Sequence, residues 1–235
     1  MVYKWLTIEQ PCLLCAQPDD GGRNICLACE ADLPWLMTHC PRCALPMPQS
    51  GLVCGACLKC PPAFTRAEAP WRYAFPVDSL ITRFKHQAQW PIGRLLAELM
   101  SHHLHNAFSH DLPRPDALLP VPLARRRQRQ RGFNQAQMLA RWLGTMLQLP
   151  VREDLLLRTR DTPSQQGLDA AARRRNLRHA FALAGATDCR GQYLALVDDV
   201  LTTGATANSL ARLLLSAGAA RVDIYCLART PRPGD

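Results

Sequence analysis

Two stretches of this 235-residue chain hold residue types whose spacing does chemistry. Nine of the eleven cysteines lie between residues 12 and 60. Eight of them form four CxxC pairs, Cys12/Cys15, Cys26/Cys29, Cys40/Cys43 and Cys54/Cys57, each starting 14 residues after the previous one. A CxxC turn sets two thiolates on one side of a tight loop, and two such turns close a tetrahedral four-sulfur site of the kind zinc takes. Four turns predict two structural Zn2+ sites. Sequence-adjacent pairing gives Cys12, Cys15, Cys26 and Cys29 to one ion and Cys40, Cys43, Cys54 and Cys57 to the other, and spacing alone leaves interleaved pairing open. Cys60 reads as a spare surface thiol. A disulfide framework needs an oxidising compartment, and the start MVYKWLTIEQPC has no apolar export segment.

The second stretch is YLALVDDVLTTGAT, residues 193–206. An apolar run predicts a strand ended by Asp198 and Asp199. A Thr/Gly turn then opens a helix through Asn208, Leu210, Leu213 and Leu214 to Gly218. Thr202, Thr203, Gly204, Ala205 and Thr206 supply N–H groups and hydroxyls at a helix N-terminus, where a dianionic phosphate is favoured, and Gly204 permits close backbone approach. The two carboxylates, as acceptors, suit the two hydroxyls of a ribose. The pattern predicts a site for a ribose 5-phosphate, and the GxxxxGK[ST] of a Walker-type loop is absent.

These groups need elements to position them. Leu80, Ile81 and Phe84 mark a helix over residues 77–86, and Ile92, Leu95, Leu96, Leu99 and Met100 mark a second. His102, His103, His105 and His110 near its end offer no closed ligand set and read as solvent-facing. Residues 117–121 predict a buried strand that runs into a basic loop, Arg125 to Arg131, with five arginines in seven residues. Asn134 is placed as the N-cap of a helix that buries Leu139, Ala140, Leu143 and Leu147. A further helix is expected over residues 169–179, where Arg173, Arg174, Arg175 and Arg178 make either a solvated face or a phosphate-seeking flap.

Charge divides with the cysteines. Residues 1–70 carry 5 basic and 6 acidic side chains, residues 71–235 carry 23 and 13, and 25 of the 28 basic residues are Arg. The larger part therefore expects an anionic partner. Eight thiolates with two Zn2+ add about −4 to the smaller part, which disfavours phosphate binding there and favours protein contact or scaffolding. That part holds little apolar material beyond Leu33, Trp35 and Leu36, so metal is expected to supply most of its folding energy. No apolar run approaches the roughly 20 residues of a membrane span, and a soluble, cytosolic chain with no membrane insertion is expected.

The strand, paired acids and Thr-Thr-Gly-Ala-Thr loop resemble the PRPP-binding signature of type I phosphoribosyltransferases. Joined to the cysteine-rich start, FKH at 84–86, VPL before RGFNQ, QQGL before RRRNL, and the loop VDDVLTTGAT, they resemble the ComF family of competence and DNA-utilisation proteins in its long, GntX-like form. The resemblance covers essentially the whole chain, with Ala205 standing where many phosphate loops have Gly. It implies an α/β fold, a parallel sheet flanked by helices (residues 67–235), behind a double zinc-ribbon module (residues 1–66). It further implies PRPP at Asp198, Asp199 and Thr202 to Thr206, and a pyrophosphate loop at Val121, Pro122 and Leu123, commonly beside a strained peptide bond. Arg127 and Arg131 are the implied pyrophosphate clamps, with Mg2+ bridging the ligand's oxygens. The family pattern also carries over Lys85, Gly132, Asn134, Gln165 or Gln166, Leu168, Arg173 and Asn176.

Catalysis in that class is electrostatic, with C1 of the ribose gaining oxocarbenium character while pyrophosphate departs. The resemblance implies a cytoplasmic protein of DNA uptake, natural transformation or use of external DNA as nutrient, without naming an acceptor. Three readings follow: a phosphoribosyltransferase, a single-stranded-DNA-binding factor that uses the PRPP site as a sensor, or an adaptor whose zinc module docks on a DNA-uptake or recombination protein. A homodimer is compatible with each. With Met-Val at the start, the N-terminal Cys nucleophile of glutamine-using relatives is not expected.

Overall fold

The computed structural model describes residues 11–18, 22–159, 180–185 and 188–232. In chain order these form short helices α1 (Leu27–Ala31) and α2 (Gly55–Lys59), strands β1 (Ala67–Glu68) and β2 (Trp71–Arg72), and helices α3 (Val77–Gln87) and α4 (Trp90–His110). There follow β3 (Ala117–Pro120), α5 (Arg125–Arg131), α6 (Gln135–Leu147), β4 (Leu156–Arg158), β5 (Phe181–Leu183), β6 (Tyr193–Leu201), α7 (Ala205–Ser216) and β7 (Arg221–Arg229).

β7 lies at the heart of a five-stranded parallel sheet, with β1 and β2 along one edge and β6 then β3 beyond the other. Parallel strands need crossovers, and crossovers cover both faces, so the strands read as near-continuous apolar runs. Alternation sorts their side chains. Leu118, Ala195, Val197, Tyr225 and Leu227 pack with α3, α4 and α6, whereas Leu119, Leu194, Leu196, Val222, Ile224 and Cys226 pack with α7. β4 and β5 make a separate antiparallel pair.

The cysteine-rich segment sits on the sheet edge. Leu36 N–H donates to Pro70 C=O (2.8 Å) and Arg72 N–H to Pro34 C=O (2.9 Å), with an antiparallel bridge between Trp35 and Trp71. Ile25 and Leu33 enter the helix-side core and Leu36 and Ala44 the α7-side core. These four thus serve cores shared with the larger domain, whereas Leu45, Met47 and Val53 cluster with Cys40, Cys54 and Cys57 inside the segment itself.

Several expected elements shift. β6 does not stop at its acids: it runs through Asp198 and Asp199 to Leu201, because β7 keeps pairing as far as Arg229. The basic segment is a helix, α5, rather than a loop. α4 continues to His110 without fraying, and His103 is not free in solvent: its Nε2 lies 3.1 Å from Oε2 of buried Glu68, which Arg66 also meets. His102, His105 and His110 are exposed as expected. The helix expected over residues 169–179 lies outside the described residues.

Gly144 in α6 has no room for a side chain. A Cβ there would fall 2.4 Å from Val151 Cγ2 and 3.0 Å from the Leu149 carbonyl, in the segment that hydrogen-bonds the outer edge of β3 through Pro150 and Arg152. Gly144→Ala is expected to cost about 1–3 kcal/mol, read as a lower urea midpoint at unchanged slope, because the clash is partly with backbone that cannot rotate away.

Candidate functional site

The sheet's connections locate a crevice. From the end of β3 the chain passes through α6 to residues 150–152, outside β3, whereas from β6 it passes through α7 to β7 on the other side. β3 and β6 are therefore neighbours whose chains depart in opposite directions, and in open α/β sheets ligands gather at the carboxyl ends of such a pair.

One wall is the turn after β3. Val121 N–H donates to Val197 C=O (2.9 Å), and Asn134 Nδ2 donates to Val121 C=O (3.1 Å) while its Oδ1 caps α6 by accepting from Ala136 N–H (3.1 Å). A single side chain thereby fixes the turn Val121, Pro122 and Leu123 to the start of α6. Among the described residues the only cis peptide is Phe75–Pro76, so no cis bond lies at this turn.

The other wall carries the acids. Lys85 Nζ, from α3, lies 2.8 Å from Asp199 Oδ2, with both side chains mostly buried. Asp198 accepts from the Asp199 N–H (2.8 Å), and desolvation together with the Asp199 charge pushes its carboxyl up to about 7. Burial holds the Arg131 guanidinium below its usual range, Asp199 opposing and Arg127 adding to that effect. His86 is likewise held down by burial, then by Arg131 and Lys85. Lys85 is ion-paired with Asp199, Arg131 lies within electrostatic reach of Asp199, and Arg127, on the exposed face of α5, lies within reach of Arg131. Arg173, with Gln165, Gln166, Leu168 and Asn176, lies outside the described residues.

Thr202, Thr203, Gly204, Ala205 and Thr206 link the acids to α7. Gly204, at φ 72°, is its left-handed N-cap, and its carbonyl accepts from Asn208 N–H (2.8 Å). Ala205 N–H reaches only the Thr203 hydroxyl, at 3.4 Å. Three flanking features were not read from sequence. Arg229, on β7, hydrogen-bonds the carbonyls of Leu201 and Thr202, and Asn208 Oδ1 accepts from Ala63 N–H (2.6 Å). Trp90, 41% exposed, packs with its ring tilted 50° against Phe133, 4.5 Å between centroids and two residues from Arg131. Only the last had a signal, an aromatic in the run RGF.

The cysteines close two clusters, Cys12, Cys15, Cys26 and Cys29, and Cys40, Cys43, Cys54 and Cys57, with the sulfurs of each within 4.8 Å of one another. Spacing left interleaving open; the structure gives sequence-adjacent pairing. Zinc–sulfur bonds of about 2.3 Å put tetrahedral sulfurs about 3.8 Å apart. Cys15 and Cys26, and Cys43 and Cys54, stand at 3.7 Å, so both donor sets fit structural zinc. Burial raises the Cys12 and Cys40 thiols, but backbone N–H groups of the turns outweigh it and bring them to about 6 and about 7. Cys60 is exposed and in neither set.

A double zinc ribbon domain model matches residues 7–58. Over 227 residues the chain is 39% identical to DNA utilization protein YhgH of Escherichia coli O157:H7, covering 96% of this chain and 99% of that one. It is 36% identical over 208 residues to competence protein F of Haemophilus influenzae, covering 88% and 90%. Among solved structures it resembles a purine phosphoribosyltransferase from Pyrococcus horikoshii OT3, with 16% identity and a TM-score of 0.35 over 57% of this chain and 70% of that one.

Native mass spectrometry is expected to find two zinc ions per chain, one in Cys15→Ser or Cys57→Ser, and two in Cys60→Ser. Full chelation is expected to remove several kcal/mol of stability, seen as a lower thermal midpoint.

Proposed function

Because the chain belongs to the ComF family of competence and DNA-utilisation proteins, we propose that it is a cytoplasmic DNA-utilisation or competence protein whose larger domain binds PRPP and transfers its phosphoribosyl group. No described helix is long and apolar enough to cross a membrane. The observation that supports the PRPP reading is that paired acids, one of them ion-paired with Lys85, lead at the reversal of strand order into a Thr/Gly turn at a helix N-terminus, with the Arg131 charge within reach of Asp199.

In this reading Thr202 to Thr206 hold the 5-phosphate with backbone N–H groups and hydroxyls, and Asp198 and Asp199 accept from the ribose hydroxyls. Arg127, Arg131 and the turn Val121–Leu123 take the pyrophosphate, Lys85 orients Asp199, and Arg173 joins them as a cation. The bond from C1 to the pyrophosphate oxygen breaks as one forms to the acceptor's nucleophilic atom, whose proton is released. Arginines placed at the departing oxygens favour the separated charge more than the ground state. The carboxylates and the ligand's own oxygens are a hard donor set suited to Mg2+, which would neutralise pyrophosphate charge. Calorimetry of the zinc-loaded protein with PRPP and Mg2+ tests the reading, and no saturable heat would end it.

One observation favours a second reading, single-stranded DNA binding with the PRPP site as a sensor. Trp90 and Phe133 form a half-exposed aromatic pair beside the arginines of α5, a stacking surface next to phosphate-seeking cations. Product assays across a panel of nucleobases separate turnover from sensing. DNA-uptake or recombination proteins, and a second copy of the chain, fit as further partners under either reading.

Asp198→Ala with Asp199→Ala is expected to abolish PRPP binding and spare most DNA affinity. Replacing Arg125, Arg126, Arg127, Arg129 and Arg131 together should weaken both, and the salt slope of DNA binding should flatten by about one unit for each phosphate that is no longer neutralised. Equal loss of DNA binding in the carboxylate variant, measured by anisotropy, would merge the two sites.

A further inference from the structure

Arg229 closes β7 and is 8% exposed, yet no carboxylate lies within ion-pair reach of it among the described residues. Its Nε and Nη1 face backbone. Nη1, with two N–H groups, lies within hydrogen-bond distance of three carbonyls, those of Leu201 (2.9 Å), Thr202 (2.5 Å) and Thr230 (2.6 Å), and Nε donates to the carbonyl of Cys43 (2.8 Å), 186 residues away. A buried guanidinium without an acid is costly unless other groups carry the opposite charge. Carbonyl dipoles supply part of it. Cys43 belongs to the second four-sulfur cluster, and zinc with four thiolates carries a net charge of about −2.

What Arg229 holds on its other side is the start of the phosphate loop. In a planar trans peptide the carbonyl of one residue and the N–H of the next point in opposite directions. Fixing the Leu201 and Thr202 carbonyls on the guanidinium therefore turns the N–H groups of Thr202 and Thr203 to the other side of their peptide planes, as an anion cradle requires. The same ribbon end is tied to α7 again through Ala63 and Asn208. The second cluster and residues 202–205 share a cavity of about 510 Å3, lined also by Leu45, Phe64 and Cys60. The first cluster has no such route: Cys12 and Ile25 pack on the α3–α4 side, and no described hydrogen bond joins residues 12–29 to residues 198–208.

We propose that Arg229 is a positioning residue of the phosphate loop, and that through it metal at the Cys40, Cys43, Cys54 and Cys57 site sets the loop's competence for a 5-phosphate while metal at the other site does not. This rests on the PRPP reading above. It makes the zinc module part of the ligand site's support, in addition to its own fold.

The test uses the full, zinc-loaded chain with two readouts: PRPP affinity by calorimetry, and hydrogen exchange of residues 202–206 without ligand. Arg229→Met removes the donors at similar length and is expected to weaken PRPP binding about tenfold or more, with two zinc ions retained, faster exchange in the loop and unchanged exchange in β3. Arg229→Lys, with the charge but not the fork, should recover part of the affinity. Cys57→Ser, which touches neither Arg229 nor the loop by a hydrogen bond, should lower affinity about tenfold, and Cys29→Ser in the first site at most about threefold.

Equal PRPP affinity and loop exchange in Arg229→Met and the parent would overturn the proposal, as would equal losses in the two cysteine variants. If Cys57→Ser does not fold, the Arg229 pair alone decides. If the parent binds no PRPP, the ligand reading fails by itself, and loop exchange in Arg229→Met still decides whether the support exists.

Discussion

Consecutive carboxylates on a strand buried on both faces repel each other, and burial makes it costly to keep both ionised. The site is organised around that constraint. Strand alternation parts the side chains: Asp199 continues the series of Ala195 and Val197 toward the helix side, and Asp198 continues that of Leu194 and Leu196 toward α7. Among the described residues only Asp199 is ion-paired, by a cation from the helix side. Lys85 reaches Asp199 because Leu80, Ile81 and Phe84 seat α3 in the core, with Phe84 pressed so closely on Gly93 of α4 that a Cβ there would lie 2.5 Å from the ring. Asp198 has no ion pair among the described residues and keeps a carboxyl that titrates near neutral pH. The two acids are therefore chemically distinct before any ligand arrives.

The ribbon segment shows how metal and apolar burial divide the work. Leu33, Trp35 and Leu36 are the module's evident core material, and none forms a core of its own. Leu33 and Leu36 enter opposite cores of the larger domain, and Trp35 packs at 5.5 Å on Trp71, whose side chain is fully buried. The four-sulfur sites, with Leu45, Met47 and Val53 packed around the second, are left to hold the knuckles internally while these residues hold the module to the sheet. Its antiparallel contacts with Pro70 and Arg72 also cover backbone that an edge strand would otherwise present to another chain.

Much of this was legible in the chain. α3, α4, α6 and α7 each bury one stripe, so their apolar residues recur at helical spacing, and β3 and the first half of β6, before its acids, are short apolar runs. The paired acids, the Gly204 turn and Asn134 as N-cap were legible because each is a local device whose partners lie within a few residues. β1 and β2 were not, being two residues each, too short for any period. β7 was hidden by Asp223, a buried acid in mid-strand that Arg221 and the Tyr193 hydroxyl satisfy, a compensation only the folded chain displays. α5 has no apolar period at all, so charge alone could not separate helix from loop.

Arg229 escaped for a different reason. Side-chain pairs leave complementary letters in a sequence, but a guanidinium bonded to carbonyls leaves none, since every residue has a carbonyl. Its planar fork can bind several carbonyls at once, where an ammonium would meet them as a point charge. Placed at the end of a central strand, that fork gathers the start of the loop between β6 and α7, the chain after β7 and the second knuckle at one point. An apolar side chain there could fill the space but would remove a donor from the part-buried Cys43 and Thr202 carbonyls, while Leu201 C=O would keep only the Thr230 N–H (3.1 Å). The polar junction thus constrains the ribbon and the loop in a way that apolar packing, tolerant of small slips, does not.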